Sequence, residues 1–316
     1  MKFTFLTAPK IIFQSGALDE AGVLVKEFGR KFMIVTRKGF TKNGVLARLE
    51  AQLDAQGIGY VEYFGVVGEP DVTQVDAAVA LAIRENCDAV LALGGGSQMD
   101  VGKAVAALIP NGGPVKDYLE VVGTGRKLVN APVPFVAVPT TSGTGSEVTK
   151  NAVIGSKAEK FKRSMRDDRM MARLVIVDPS LTLGLPPKAT ATSGIDALIH
   201  NLEAYTTIRN ATPLTRSIAL EGIALAGANL RRASDVPEDA EAREGMALSA
   251  LCGGLTLANS GLGAAHGLGM ALNTHYSVSH GEGVGIMMPH VMLINAQAVP
   301  GIYDKVIGLD HESMIK

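Results

Sequence analysis

Tryptophan is absent from this 316-residue chain, and cysteine occurs only twice, as Cys87 and Cys252. The two cysteines lie far apart and form no Cys-x-x-Cys pair, so they offer neither a disulfide framework nor a thiolate metal site. Reduced, cytoplasmic residence is the expectation that follows. An excess of either charge is also lacking: 30 Lys and Arg against 31 Asp and Glu leave a formal net charge of −1. So balanced a chain has no broad electrostatic footprint for nucleic acid or an anionic membrane surface. No apolar run approaches the roughly 20 residues of a membrane-spanning helix. The run Phe3–Ala8 contains two threonines and is closed by Lys10, which is not the form of a secretory signal. Repeats and low-complexity tracts are missing too. What is present is 47% hydrophobic and 19% charged residues. That mixture can bury a sizeable core, in a length suited to one large domain or two ordinary ones.

The first half alternates two hydrophobic periods. Short β-rich runs at Phe32–Thr36, Tyr60–Tyr63, Ala89–Leu93, Phe135–Val138 and Leu174–Val177 are separated by helical patterns such as Gly44–Ala55 and Val75–Arg84. This alternation predicts a parallel sheet covered on both faces. Val90 to Leu93 is continuously apolar, as a strand buried on both sides should be. After Asp178-Pro179 the strand signal fades. Leu181–Pro187 reads as a loop, Glu244–Ala258 as a central buried helix, and Asp235–Arg243 as a polar, exposed stretch. The expected organisation is an α/β domain over residues 1–180 followed by an all-α domain over 181–316.

Gly94-Gly95-Gly96-Ser97 directly follows one strand and precedes a helix expected to begin near Met99, with Asp100 in its first turn. Glycines there let backbone N–H groups approach a phosphate at the positive end of a helix dipole. A tight strand–helix turn without a ligand is the plainer alternative, but three successive glycines exceed what a turn needs. The common G-x-G-x-x-G fingerprint is absent. A second cradle, Pro139 to Ser146, follows another strand and contains Thr140, Thr141 and Thr144. Two cradles at the carboxyl ends of parallel strands suit an extended phosphorylated ligand.

Ser193 to His200 reads as a helix with Ser193 near its N-cap. Asp196 and His200, four apart, share a face beside the apolar stripe Ile195, Leu198, Ile199, Leu202. Alone, the pair reads first as a local Asp–His hydrogen bond. His266 and His280, both in glycine-rich surroundings, would complete a set of three nitrogens and one oxygen suited to iron(II) or zinc rather than calcium or magnesium. Spacing leaves a cation site and structural histidines both open. His275, His290 and His311 read as structural or surface residues.

Over about Ile11 to Ile307 these segments together resemble the iron-containing, or group III, alcohol dehydrogenases. The resemblance rests on Gly94–Ser97 with Asp100 and Lys103, Pro139–Thr144, Asp178-Pro179, Leu185-Pro186-Pro187, the Asp196/His200 helix, and His266 with His280. It implies a Rossmann-like domain, a helical domain and an active site in the cleft between them. The implied metal ligands and catalytic residues are Asp196, His200, His266 and His280. The implied cofactor contacts are Gly95, Gly96, Ser97, Thr140, Thr141 and Thr144, with Asn151 and Lys160. Expected activity is hydride transfer between NAD(P) and a small primary alcohol or aldehyde, with Fe2+, or Zn2+ in its place.

Three departures from the family pattern shape further expectations. Met270 occupies a position, one turn after the third ligand, where many members carry a proton-relaying histidine. Arg37 and Lys38 follow a strand where NAD-using members place an acidic residue on the adenosine ribose. A guanidinium suits a 2′-phosphate, so NADP is the expected cofactor and NAD the alternative. The chain stops at Lys316 where members continue through more helices, so exposed apolar surface and a homodimer are expected. Rival readings are a metal-free maleylacetate reductase-like enzyme, a dehydroquinate synthase-like lyase, and a nucleotide-binding remnant without turnover. The full ligand set opposes the first, and the Gly94–Ser97 context and Asp196/His200 spacing oppose the second.

Overall fold

The computed structural model describes residues 2–276 and 278–308. The chain divides into two compact units. One comprises Ala8–Thr140 and Ser146–Leu181; the other begins at Thr182 and takes in Thr141–Gly145 and the N-terminal residues up to Thr7.

The first unit is built on six parallel strands: β1 (Ile11–Phe13), β2 (Lys31–Val35), β3 (Gly59–Tyr63), β4 (Ala89–Gly94), β5 (Phe135–Pro139) and β8 (Leu174–Val177). Their order is β1-β8-β5-β4-β2-β3. All six residues of β4 are buried, which is why its sequence runs apolar without alternation. The sheet grows from β2 to β3 on one side and then returns to place β4 on the other. That reversal lies between β2 and β4, the switch point where open α/β sheets bind ligands. Helices α1 (Ala21–Val25), α2 (Gly39–Lys42), α3 (Val45–Asp54), α4 (Val72–Arg84) and α5 (Gly96–Leu108) belong to this unit. A capping box of Asp71 and Gln74 starts α4. Leu46, Leu49 and Leu53 of α3 pack with Phe32, Ile34, Leu91 and Val136 of the sheet. A two-stranded antiparallel hairpin, β6 (Asn151–Ser156) and β7 (Phe161–Arg166), completes the unit, with Asn151 opposite Arg166. Asp178 accepts the backbone N–H groups of Gly16 and Leu18, so the Asp178-Pro179 segment ties down the turn after β1.

The second unit is helical: α6 (Pro187–Thr206), α7 (Pro213–Asp235), α8 (Ala240–Ser260), α9 (Ala264–His275), α10 (His280–Ala298) and α11 (Asp304–Ile307). Pro187 and Pro213 open their helices at the first position, where no intrahelical N–H bond is lost. Small residues set the packing. Ala197, Ala226, Ala233, Ala242 and Ala250 share one cluster with Met246. Gly145, at φ +59°, passes so close to Gly254 that a Cβ would sit 2.3 Å from its Cα. No helix among the described residues is long and apolar enough to cross a membrane.

The architecture, an α/β unit with a parallel sheet and an all-α unit, is the one expected, but three local readings need correction and three strands went unread. Helix α5 begins at Gly96 rather than near Met99: Gly94 ends β4, Gly95 is the extended N-cap, and Gly96 is already helical. Helix α6 begins at Pro187, so Ser193 is no N-cap. Its hydroxyl donates back to Ala189 O inside the helix, at 2.8 Å. Arg243 closes no exposed stretch; it is 2% exposed. Its guanidinium donates to Pro237 O, Leu185 O and Thr190 Oγ1. Strands β1, β6 and β7 carried no recognisable alternation of apolar and polar residues.

Candidate active site

Helix α6 sets Asp196 and His200 four residues apart, and Glu203 follows seven after Asp196, so all three lie along one face. Three histidine Nε2 atoms point at one carboxylate oxygen. His266 lies 3.2 Å, His280 3.6 Å and His200 3.9 Å from Asp196 Oδ1. The rings of His200 and His266 stack with centroids 4.4 Å apart. Candidate ligand atoms of Asp196, His200 and His266 all fall within 4.8 Å of one another. His280, the first residue of α10, meets Asp196 without joining that mutual set. It is partly exposed, whereas the other three are buried.

Burial alone would raise the Asp196 carboxyl, but the surrounding imidazoles hold it well below the usual range. His200, desolvated, is pushed down to about 4 despite the pull of Asp196, so its ring is neutral near pH 7. Glu203 is likewise held low: burial opposes ionisation most strongly, but the hydrogen bond and charge of His266 together with the backbone N–H groups of Gly263 and Ala265 outweigh it. Burial would lower His266, yet its hydrogen bonds to Asp196 and Glu203 lift it to about 9. The cluster therefore holds two buried carboxylates whose charge is offset by an imidazolium. A divalent cation replacing that proton would balance both carboxylates, and three imidazoles with one carboxylate suit iron(II) or zinc. The residues fit such an ion.

Sequence reasoning missed Glu203. The available signal was its place three residues after His200, on the same helical face. Met270, one turn after His266, is half-buried, and His275 and His290 are exposed. His311 lies outside the described residues.

The expected nucleotide contacts fall mostly in the α/β unit. Gly95 caps α5 with an extended backbone, and its N–H donates to the Gln98 side chain at 3.1 Å. Gly95, Gly96 and Ser97 remain partly accessible at the first turn of α5. Thr140, at the carboxyl end of the neighbouring strand, is 2% exposed and donates its N–H to Gly94 O. Arg37 follows β2 at the switch point, exposed, its guanidinium 4.4 Å from the centre of the Phe40 ring. Thr141 and Thr144, both half-buried, belong to the segment grouped with the helical unit. Lys160 sits in the exposed hairpin turn at φ +54°.

Asp100 is engaged internally: it accepts from Ser146 Oγ at 2.6 Å and Val153 N at 2.9 Å, and pairs with Lys103 at 3.1 Å. Lys103 is 1% exposed. Its ammonium also donates to Ser146 O and Oγ, to Thr149 Oγ1 and to Asn151 O. Asn151, expected at the cofactor, thus also anchors the hairpin through its backbone carbonyl. Burial lowers Lys103 and raises the neighbouring Glu147 to about 7.

An open parallel sheet with a glycine-rich helix entry in one unit and, in the other, a buried carboxylate–imidazole centre fitted to a divalent ion are the parts of a metal-dependent dehydrogenase. Residues 8–179 match the profile of iron-containing alcohol dehydrogenase, and residues 190–309 that of the Fe-containing alcohol dehydrogenase family C-terminal region. The chain belongs to the iron-containing alcohol dehydrogenase family and is an oxidoreductase. It is 37% identical to long-chain-alcohol dehydrogenase 1 of Geobacillus thermodenitrificans over 88% of this chain and 69% of that one. It superposes on the crystal structure of a 1,3-propanediol oxidoreductase with a TM-score of 0.92 and 32% identity, covering 98% of this chain and 80% of the other. A sulfoacetaldehyde reductase from Bifidobacterium kashiwanohense, solved with NAD+, gives a TM-score of 0.86 at 28% identity, covering 99% and 86%.

Proposed function

We propose that this enzyme interconverts a small primary alcohol and its aldehyde, with Asp196, His200, His266 and His280 as ligands of iron(II) or zinc. The supporting observation is the convergence of three histidine Nε2 atoms on Asp196 Oδ1, at 3.2, 3.6 and 3.9 Å. When bound, such an ion stabilises negative charge on the substrate oxygen while the nicotinamide carries the hydride. The chain's own part is positional. Neutral His200 offers a ring lone pair, and Asp196 supplies the anionic ligand. Met270 cannot move a proton, so the alcohol proton leaves by a path other than a side chain at that position: water, a cofactor ribose hydroxyl or His275.

For the cofactor, we read Arg37 as favouring NADP over NAD. It stands at the switch point, stacked on Phe40 and free to face a 2′-phosphate through its planar fork.

The test is NADPH and NADH oxidation with short aldehydes, with and without added iron(II), alongside metal analysis. The wild type should carry one divalent ion and need it for turnover; His266→Ala should lose most of both. A His266→Ala protein with full metal content and full activity sinks the ligand assignment. Turnover unaffected by complete metal removal would favour the metal-free reductase.

A further inference from the structure

We infer that Glu203 is a positioning residue of the metal centre: it fixes the ring of His266 so that only Nε2 is presented to the ion. The inference rests on the metal-site reading above and extends it to a residue outside the ligand set.

Glu203 is 2% exposed, a burial that a carboxylate tolerates only with full hydrogen bonding. Both its oxygens are used. Oε2 accepts from His266 Nδ1 at 2.6 Å, and Oε1 accepts the backbone N–H of Ala265 at 2.6 Å. An ionised carboxylate can only accept, so the proton of the first contact belongs to Nδ1. Nε2 is then the ring atom left for coordination, and it is the one facing Asp196.

The second contact sets where His266 begins. Helix α9 starts at Ala264, and its N-cap residue Gly263 makes no side-chain cap. Glu203 supplies that cap from another helix, placing negative charge at the positive end of α9. Gly263 leaves the room: a Cβ there would lie 2.8 Å from Glu203 Oε1. One side chain therefore fixes both the backbone that carries His266 and the rotation of its ring. Because Glu203 shares α6 with Asp196 and His200, all of these are referenced to a single helix. A carboxylate behind a ligating imidazole also makes the ring a stronger donor.

The experiment uses the full chain with Co2+ as the probe, read by competition with a coloured chelator and by the visible Co2+ absorption. Thermal melting of the metal-free protein is recorded in parallel. Glu203→Gln keeps the shape and one acceptor but cannot satisfy both N–H donors. It should weaken Co2+ binding by about 10- to 100-fold and alter the absorption band. Glu203→Asp, which keeps the charge but withdraws the oxygens, should fall between. If Glu203→Gln does not fold, Glu203→Asp reads the same quantity. Affinity within about twofold of wild type overturns the inference, even if the melting temperature falls, because a cap alone would give that result. His266→Ala is the control. If it binds Co2+ as tightly as wild type, the metal-site reading fails; if only the Glu203 variants do, the Glu203 inference fails alone.

Discussion

Two clusters in this enzyme bury charge, and they close differently. In the α/β unit the Lys103 ammonium is ringed by Asp100, Ser146, Thr149 and Asn151, every partner being part of the chain. In the helical unit three imidazoles surround Asp196 and one of them, His266, also meets Glu203, so a proton on His266 offsets only part of the charge of the two carboxylates. The first cluster is complete in itself and pins the β6–β7 hairpin to α5. The second is complete only with something exchangeable, a proton or a cation. Both clusters are buried. What separates a pin from a site is whether the compensating charge can leave.

Removing the fixed charge tests the first half of this contrast most severely. Lys103→Met takes the ammonium away from Asp100 and from several buried acceptors and should cost about 3–5 kcal/mol in denaturant unfolding, with metal content unchanged. A loss below about 1 kcal/mol would mean that the cage is not a pin. Glu147, beside this cage, sharpens the point with pH. Burial raises its carboxyl from 4.5 to about 7 in the folded protein. A raised acid penalises the folded state when it ionises. Its cost is therefore absent below about 4.5, grows as pH rises towards about 7 and is constant beyond. Glu147→Gln should be nearly neutral at about pH 4 and stabilising by roughly 3 kcal/mol at about pH 8. Equal effects at both pH values would contradict that assignment.

The exchangeable cluster should respond to its ion. Zinc at about a hundredfold over its dissociation constant should stabilise the wild type and Lys103→Met alike by about 2.7 kcal/mol. His266→Ala should lose that gain. A stabilisation that survives in His266→Ala would erase the distinction between the clusters. The smallest effect concerns Arg37, exposed after β2 in the α/β unit with its guanidinium over Phe40. Arg37→Asp should shift cofactor preference towards NAD by about tenfold, the worth of one charge-assisted hydrogen bond. Steady-state kinetics with both cofactors reads this, and a wild type already favouring NAD by about tenfold removes the premise.

The legible parts of the chain were those with a period or a run. Strands β2, β4, β5 and β8 announce themselves because burial on both faces demands apolar runs, the edge strand β3 by its β-rich residues, and Gly94–Gly96 because backbone must come close at a helix entry. Asp196 and His200 were found from i, i+4 spacing on an apolar helix. His266 and His280, in other elements, needed the family resemblance as well. Glu203 was not found, since a glutamate on a helix has the same local signature whether it faces solvent or a histidine 63 residues away. Arg243 shows the same blindness in reverse: a polar stretch hides a guanidinium whose partners Thr190 and Leu185 lie 53 and 58 residues back. The β6–β7 hairpin escaped notice because Phe161–Arg166 is mostly polar, its place being set by backbone pairing and the Lys103 cage. The Thr141–Gly145 segment was legible as a cradle but not as part of the helical unit; its fit there depends on Gly145 and Gly254 passing closely.

Helix α6 gives the site an intolerance to changes in chain length. Asp196, His200 and Glu203 are indexed along one rod, where each residue advances about 100° around the axis. Inserting or deleting a single residue between Asp196 and Glu203 would swing everything on one side of the change by that angle, out of reach of His266. The exposed turn from Lys157 to Lys160 carries no such indexing, since an extra residue there only enlarges a loop. In a library of length variants, the tolerated gaps should crowd into that turn and avoid the eight-residue span of α6, making tolerance to indels itself a tracing of the active site.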